Sequence, residues 1–382
     1  MPFVLYLLAL AVFAQGTSEF MLSGLLPDIA ADLNVSIPAA GALTSAFAAG
    51  MIVGAPLTAL LSLRWPRRAA LLGFLGVFLL AHVVGALTSS YPVLLGTRVI
   101  AALANAGFLA VALATATSLV AANAKGRATA VLLGGVTLAC VAGVPAGAVL
   151  GQAWGWRAAF WAVALVSAPA LVAILCSVPA GGSGVAPSVR GELGALRQPR
   201  LGLLLLLGAL VNGATFCTFT YLAPLATEVA GIGAGWVPVV LAVFGLGSFL
   251  GVSLGGRLAD SRPRMLVVAG GLALVCGWAV FGLVAADPVG ALVLTLVQGT
   301  LSFAVGSTLI SQALYAATGA PTLAGACATA AFNVGAALGP WAGGLAIAAG
   351  FGFRSPLWVS AGLAGLAVLA GAVSRRWLWP RP

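Results

Sequence analysis

The sequence predicts an all-α membrane protein with twelve transmembrane helices in two pseudo-symmetric bundles of six helices. Of its 382 residues, 62% are hydrophobic and only 6% are charged, a composition that soluble globular proteins do not have. Twelve apolar stretches each approach the roughly 20 residues that a helix needs to cross a bilayer. Rare residues also recur at one fixed spacing, which indicates an internal duplication.

Short polar or Gly- and Pro-containing breaks separate the twelve predicted helices, numbered here in chain order. Helix 1 lacks a basic leading segment, so we expect it to be retained rather than cleaved as a signal peptide. The five scattered cysteines and the single histidine predict neither a disulfide framework nor a metal site, and no cofactor is expected. The predicted spans are approximately 3–26, 38–62, 69–88, 92–120, 128–150, 158–178, 201–226, 235–256, 265–285, 288–316, 322–348 and 356–374.

The basic residues lie almost entirely on one side of the predicted membrane, whereas Arg157 and Arg354 lie in loops of the other side. Cytoplasmic loops carry such an excess, so we expect both termini in the cytoplasm. Because these charges follow membrane orientation, the net charge of +10 does not indicate a nucleic-acid partner. Fourteen of the 17 Lys and Arg form this set: Arg64, Arg67, Arg68, Lys125, Arg127, Arg190, Arg197, Arg200, Arg257, Arg262, Arg264, Arg375, Arg376 and Arg381.

The repeat relates two halves of the chain. We expect an N-terminal bundle over 1–178, a cytoplasmic linker over 179–200 and a C-terminal bundle over 201–382. Six helices return the chain to the same side, so both halves have the same topology, as in secondary transporters that bind substrate near mid-membrane. The pairs 197 positions apart are Pro27 with Pro224, Pro66 with Pro263, Arg67 with Arg264, Gly147 with Gly344, Gly155 with Gly352, Arg157 with Arg354 and Trp161 with Trp358.

The loop after helix 8, GGRLADSRPR, resembles the G-x-L-A-D-x-x-G-R-[KR] signature of the major facilitator superfamily. Its matching loop after helix 2 has Leu63 where the signature has an acid. The resemblance implies that these residues latch the cytoplasmic gate. Those that match are Gly256, Asp260 and Arg264 in the second loop and Arg64, Arg67 and Arg68 in the first.

Helix 5 carries small residues every four positions, which makes a flat face for close packing. Helix 11 does the same at Ala331, Gly335, Gly339 and Gly343. The run GVPAGAVLG, with Gly143, Pro145 and Gly147, resembles the signature of antiporters. These residues therefore have two possible roles, a part in gating or helix packing alone. We expect the prolines of both helices to bend them.

Longer runs give a narrower resemblance. GTSEFMLSGLLPDIAADLNVS and AFNVGAALGPWAGG resemble the twelve-helix drug/proton antiporter branch, and the whole first half is similar to actinobacterial chloramphenicol exporters. This implies a multi-pass protein of a bacterial plasma membrane. We expect it to act as a monomer, with a drug, protons and the lipid bilayer as partners.

Two charges lie inside the first bundle. Glu19 lies about 12 Å from the outer end of helix 1 and Arg98 about 9 Å from that of helix 4, so they share a layer and are expected to meet. We interpret Glu19 as the proton-coupling acid; a static ion pair with Arg98 is the alternative. His82 on helix 3 falls in the same layer and is either a proton relay or a packing residue.

Polar and aromatic side chains near mid-membrane predict the substrate pocket. Amides among aromatic rings suit an uncharged amphipathic ligand, although each amide could instead bond a neighbouring helix. Tyr221 lies close to this set in the sequence. The predicted binding residues are Gln15, Asn105, Asn212, Phe216, Phe219, Gln298, Phe303 and Asn333.

The function expected from these features is proton-coupled export of a small antibiotic, with chloramphenicol as the first candidate. A sugar or nucleoside exporter of the same superfamily is the nearest alternative. An uncoupled facilitator or uptake permease would need no titratable acid in the pocket. An enzyme is less favoured, because the sequence has no nucleophile with its base and no metal-ligand cluster.

Overall fold

The computed structural model describes residues 2–62, 65–121, 125–178, 198–258, 261–316, 321–374 and 378, and within these ranges every regular element is helical. Twelve helices in these ranges are long and apolar enough to cross a membrane, which confirms the predicted fold class. We name them α1 to α12. They are α1 (Phe3–Gly24), α2 (Ile37–Ala55), α3 (Arg67–Leu87), α4 (Tyr91–Ala116), α5 (Val131–Trp154), α6 (Trp156–Ser177), α7 (Pro199–Thr220), α8 (Ala234–Leu258), α9 (Pro263–Val284), α10 (Pro288–Ala316), α11 (Cys327–Phe351) and α12 (Ser355–Val373).

Several helices differ from a simple apolar rod at their ends. The α-helical part of α1 stops at Phe20 and a 3₁₀ turn, Met21–Gly24, completes it. A separate short helix, Leu26–Asp32, then follows with proline in its first turn, where the missing N–H is tolerated. The sequence had predicted one continuous helix over 3–26, so the break after Gly24 is a detail that apolar composition does not reveal.

A π-helical turn interrupts α5 directly before Pro145. It spans Ala139–Gly143, and the Val144 N–H donates to the Ala139 carbonyl five residues back. Proline has no N–H to continue the usual ladder, so a wider turn beside it is a physically reasonable way to redistribute the bonds. The bending of the helix that the sequence predicts stays a prediction.

Proximity groups the chain into two units. Unit 1 comprises Met1–Ser36 and Ala46–Ala186, and unit 2 comprises Ile37–Ser45 and Pro187–Pro382. The first part of α2 therefore belongs with the second half of the chain, where the Ser45 hydroxyl donates to the Ala337 carbonyl at 2.8 Å. The predicted linker lies outside the described residues over 179–197, and the predicted domain boundaries stay a prediction.

In unit 1 the small residues of α5 pack against α1. A Cβ atom added to Gly135 would lie 2.5 Å from the Ala9 carbonyl oxygen, so only glycine allows the two backbones to approach this closely. Glycine contacts recur at intervals of eight and four residues along α5, with Ala139 against Gly16 in the gap, and they confirm the predicted packing face. The pairs are Gly135 with Ala9, Gly143 with Thr17, Gly147 with Met21 and Gly151 with Leu25.

Unit 2 repeats this arrangement with α11 and α7. The space beside three glycines of α11, spaced four residues apart, is filled by the backbone or a side chain of α7. The pairs are Gly335 with Ala209, Gly339 with Gly213 and Gly343 with Cys217. The duplicated halves thus use small residues on their fifth helix to hold their first helix.

One matched glycine pair also shares its backbone conformation. Gly155 precedes α6 with φ +82°, and Gly352 lies close before α12 with φ +72°. Side chains other than glycine rarely adopt such angles, so both positions require glycine for the same tight connection.

Adjacent glycines on α5 allow a matched test of the α1 contact. Gly135→Ala should destabilise the protein by about 1–3 kcal/mol because the new methyl group overlaps the α1 backbone. Gly134 has no neighbour within 4 Å of its Cβ position. Gly134→Ala should therefore be neutral or stabilising, since alanine is the better helix former. Thermal unfolding of both variants in detergent measures the difference, and equal unfolding temperatures would contradict the packing account.

Candidate functional site

A buried polar cluster in unit 1 is centred on Ser18 of α1. Arg98 of α4 donates from Nη1 to the Ser18 hydroxyl at 2.8 Å and from Nη2 to the Ser18 carbonyl at 2.7 Å. The guanidinium also lies over the Phe47 ring, with Cζ 4.5 Å from the ring centre. Arg98 is only 1% exposed, so these contacts replace water around a charge inside the helical bundle.

His82 of α3 completes the cluster. Its Nε2 lies 2.6 Å from the Ser18 Oγ, and its Nδ1 lies 2.7 Å from the Phe78 carbonyl oxygen. A carbonyl only accepts, so Nδ1 carries a hydrogen. The Ser18 hydroxyl accepts a hydrogen bond from Arg98 and can donate its own hydrogen to Nε2 of His82. Arg98, Ser18, His82 and the Phe78 carbonyl then form a continuous chain of hydrogen bonds in which the imidazole is neutral. His82 therefore belongs to the polar cluster.

Glu19 follows Ser18 in the chain but faces a different direction, because consecutive helical residues point about 100° apart. Its side chain is half-buried and within Coulombic range of Arg98. The direct ion pair expected between these two residues is absent among the described residues, where the one salt bridge joins Arg157 and Asp32. The expectation of direct pairing was wrong because Ser18, rather than Glu19, occupies the two terminal nitrogens of Arg98.

Gln15 lies one helical turn before Glu19, on the same face of α1. It is 1% exposed, and within the described part of the chain neither its Nε2 nor its Oε1 has a hydrogen-bond partner. Leaving both ends of an amide unpaired costs free energy, so a buried group of this kind needs an explanation such as water or a ligand. Gln15 and Glu19 together offer an amide and a carboxyl group on one stripe of α1.

Asn105 is the other predicted binding residue of unit 1. It lies on α4, two turns further along than Arg98, and is 5% exposed. Its Nδ2 contacts the Met51 Sδ at 3.6 Å. A thioether is a weak acceptor, so this contact satisfies the amide only in part.

In unit 2 the predicted aromatic residues form one connected cluster. Phe216 meets Phe219 edge-on at 5.9 Å between ring centres, and Phe219 stacks on Phe244 at 4.4 Å. Phe244 then meets Phe303 at 6.1 Å. These rings come from α7, α8 and α10, and their offset and edge-on contacts are the favourable geometries for aromatic pairs.

Phe244 is the member that the sequence reasoning missed. The repeat could have identified Phe244, because it lies 197 positions after Phe47, the offset that relates the two halves. In unit 1 the Phe47 ring lies against the guanidinium of Arg98, whereas in unit 2 the Phe244 ring packs against other phenylalanine rings.

The predicted amides of unit 2 all donate to backbone carbonyls. Asn212 bonds the Phe332 carbonyl of α11 at 2.7 Å, and Gln298 bonds the Leu274 carbonyl of α9 at 3.1 Å. Asn333 bonds Thr329 in its own helix at 3.0 Å. The first two bonds join neighbouring helices and thus agree with the alternative interpretation as packing contacts. Tyr221 also packs between helices, since its hydroxyl donates to the Pro340 carbonyl at 2.9 Å.

The described residues of the gating motifs lie at helix ends and on helix faces. Arg67 and Arg68 begin α3, Gly256 lies near the end of α8 and Arg264 lies in the first turn of α9. Gly143 and Gly147 contact α1, and Pro145 follows the π turn. Arg64 and Asp260 lie outside the described residues.

One arginine joins the three connections at the other end of unit 1. Arg157 pairs with Asp32 at 2.5 Å and donates to the Thr88 carbonyl at 2.9 Å. The Trp156 indole also donates to Asp32, at 3.1 Å. The hydrogen bond from Arg157 lowers the pKa of the Asp32 carboxyl below its usual value. Asp32 thus binds the first turn of α6 through two side chains and is not an isolated loop charge.

Across the described ranges, no group of three His, Cys, Asp or Glu side chains could hold a metal ion. The described residues offer hydrogen-bonding groups, aromatic rings and one half-buried carboxyl group.

Comparison with known proteins gives consistent matches. The model of the Major Facilitator Superfamily matches residues 8–326. A chloramphenicol resistance protein of Streptomyces lividans is 57% identical over 373 residues, which cover 97% of this chain and 95% of that protein. The inner membrane transport protein YdhP of Escherichia coli K12 is 37% identical over 369 residues, with the same coverage of 97% and 95%.

A crystal structure of a bacterial homologue of the human lysosomal transporter Spinster, inward-facing and unoccupied, matches the fold with a TM-score of 0.78. It is 18% identical in sequence, and the match covers 100% of this chain and 98% of that one. At this identity the likeness concerns the fold alone, and it confirms the twelve-helix architecture.

The central role of Ser18 can be tested by removing its hydroxyl. Ser18→Ala should destabilise the protein by about 1–3 kcal/mol, because it removes the hydroxyl partner of Arg98 Nη1 and of His82 Nε2 inside the bundle. Ser167→Ala is the matched control, since that equally buried hydroxyl bonds only the Val163 carbonyl of its own helix. Denaturation in detergent compares the two variants. An equal loss of stability would show that the cluster has no special role.

Proposed function

Because the chain belongs to the Major Facilitator Superfamily, and is thus a transporter rather than an enzyme, we propose that it exports a small amphipathic antibiotic in exchange for protons. Chloramphenicol is the first candidate substrate. The observation that carries this choice is the 57% identity to a chloramphenicol resistance protein along nearly the whole chain.

The side chains available for a substrate support an uncharged ligand. Unit 2 supplies a cluster of four phenylalanine rings, and unit 1 supplies Gln15 with both amide atoms unpaired among the described residues. Pockets for drug-sized molecules combine apolar and aromatic walls with a few polar groups that fix orientation. Asn105 and Asn333 are further candidates for such orienting contacts.

Glu19 is the residue that we assign to the proton. It is a half-buried carboxyl group within Coulombic range of Arg98, and Arg98 is held by Ser18 instead of being neutralised by a direct ion pair. A carboxyl group left without a fixed partner is able to gain and lose a proton as its surroundings change. His82 is hydrogen-bonded to the same serine and is our candidate for passing that proton.

Alternating access links the proton to the drug. With the site open to the outside, a proton neutralises Glu19, weakens its attraction to Arg98 and lowers the affinity for drug. With the site open to the inside, loss of the proton restores the high-affinity state, so drug binding and proton binding oppose each other. We further propose that the protein works as a monomer in the plasma membrane with both termini in the cytoplasm, in agreement with the distribution of its basic residues.

Glu19→Gln should abolish uphill export while it leaves a folded protein that still exchanges drug, because the amide has the shape of the protonated acid. The measurement is drug transport by purified protein in liposomes with an imposed pH gradient, together with proton release when drug is added in detergent. Glu228→Gln is the matched control, since Glu228 is exposed. If Glu19→Gln still drives export and releases protons like the parent, Glu19 is not the coupling acid.

The substrate is tested by expression in a host that lacks its own efflux pumps. Tolerance to chloramphenicol should rise, and the rise should disappear when the proton gradient is collapsed. Minimum inhibitory concentrations for a panel that includes nucleosides and other neutral antibiotics provide the comparison. A rise for a different compound with none for chloramphenicol would make the substrate assignment wrong and leave the family assignment intact.

A further inference from the structure

Unit 2 contains an apolar groove that includes none of the residues proposed for proton coupling or substrate binding. Its volume is about 410 Å³, and α7, α9, α10 and α12 form its walls. Leu207 and Leu309 are buried at its inner side, whereas Val268 and Leu272 along its open side are 48% and 50% exposed. The groove therefore opens on the surface of the unit rather than being an enclosed packing defect.

The depth of the groove matches one leaflet of a bilayer. Along α9 it extends from Arg264 in the first turn to Leu274, ten residues further, which corresponds to about 15 Å. This is half of the roughly 30 Å of hydrocarbon in a typical membrane. Along α12 it extends from Ala372, next to the last helical residue, inward to Ala364, so both helices place its mouth at the same end.

The groove is charged at one end and apolar along the rest of its length. Arg264 is the single charged side chain that lines the groove in the described part of the chain, and every other lining residue is apolar. Small residues of α12, among them Ala367 and Gly371, leave the space open. A cation at the mouth and about 15 Å of hydrocarbon wall complement a long acyl chain that carries an anion at its end.

We propose that this groove binds an anionic phospholipid of the leaflet on the basic side of the protein, with one acyl chain between α9 and α12 and the phosphate on Arg264. A neutral drug is the less suitable occupant, because the walls offer no uncharged polar group to orient it. The bound lipid would also contact Leu378, which lines the groove beyond the end of α12 and is 3% exposed. The lipid thus links the C-terminal segment to α9.

The test uses full-length protein, purified and delipidated in detergent, and native mass spectrometry to count bound lipid during titration. The probes are dioleoyl phosphatidylglycerol and dioleoyl phosphatidylcholine, which share acyl chains and differ in charge. Arg264→Gln should weaken phosphatidylglycerol binding about fivefold, the value of one arginine at a membrane surface, and leave phosphatidylcholine unchanged. Arg262→Gln is the matched control, because Arg262 lies on the same end but does not line the groove.

A second pair of variants tests the acyl chain. Ala367→Phe and Leu272→Trp fill the groove and should abolish binding of both lipids, whereas Leu369→Trp, on the exposed side of α12, should not. Leu272 and Leu369 are both exposed, so these two variants remain informative if Ala367→Phe fails to fold. Unchanged binding in Arg264→Gln or in Leu272→Trp would overturn the proposal. Occupation of the groove by chloramphenicol or by free oleate in preference to phosphatidylglycerol would also overturn it.

Discussion

A guanidinium group buried in an apolar helical bundle must find its hydrogen-bond partners within the protein, because lipid supplies none. In unit 1 Ser18 meets this requirement for the two terminal nitrogens of Arg98, which donate to its hydroxyl and carbonyl oxygens, while Nε has no partner among the described residues. The same hydroxyl reaches His82, so one small side chain joins α1, α3 and α4. The position of Glu19 follows from this contact, since the residue next to Ser18 on a helix must point to another side.

The bonds to Ser18 depend on the exact position of α1 along its own axis. That position is set from another face by α5, whose glycines admit the backbone and side chains of α1 at intervals of eight and four residues. Thr17, the neighbour of Ser18, lies against Gly143. Close van der Waals packing is the main attraction between helices in lipid, so the glycine face holds the helix while the polar cluster fixes its rotation. The motif that resembles an antiporter signature and the polar cluster thus act on the same helix.

The sequence predicted the features that depend on composition and period. Twelve spans, the small-residue faces of α5 and α11 and the aromatic side chains of α7 and α10 all follow from such patterns. Ser18 escaped prediction because serine is neutral and common, and only its contacts give it importance. Phe244 was accessible through the repeat, whereas the pairing of Arg98 depends on side-chain direction, which apolar patterning does not encode. The grouping of Ile37–Ser45 with unit 2 is likewise a tertiary property.

The cluster around Arg157 bears on the order in which unit 1 assembles. Its partners Asp32 and Thr88 belong to the connections that follow α1 and α3, while Arg157 itself opens α6. A ribosome delivers the chain from its N-terminus, so the first two connections reach their side of the membrane before the arginine that joins them has been made. Helices α1 to α5 must therefore enter the bilayer without this contact. The arrival of α6 closes that end of the bundle, and it does so with two neighbouring side chains, Trp156 and Arg157.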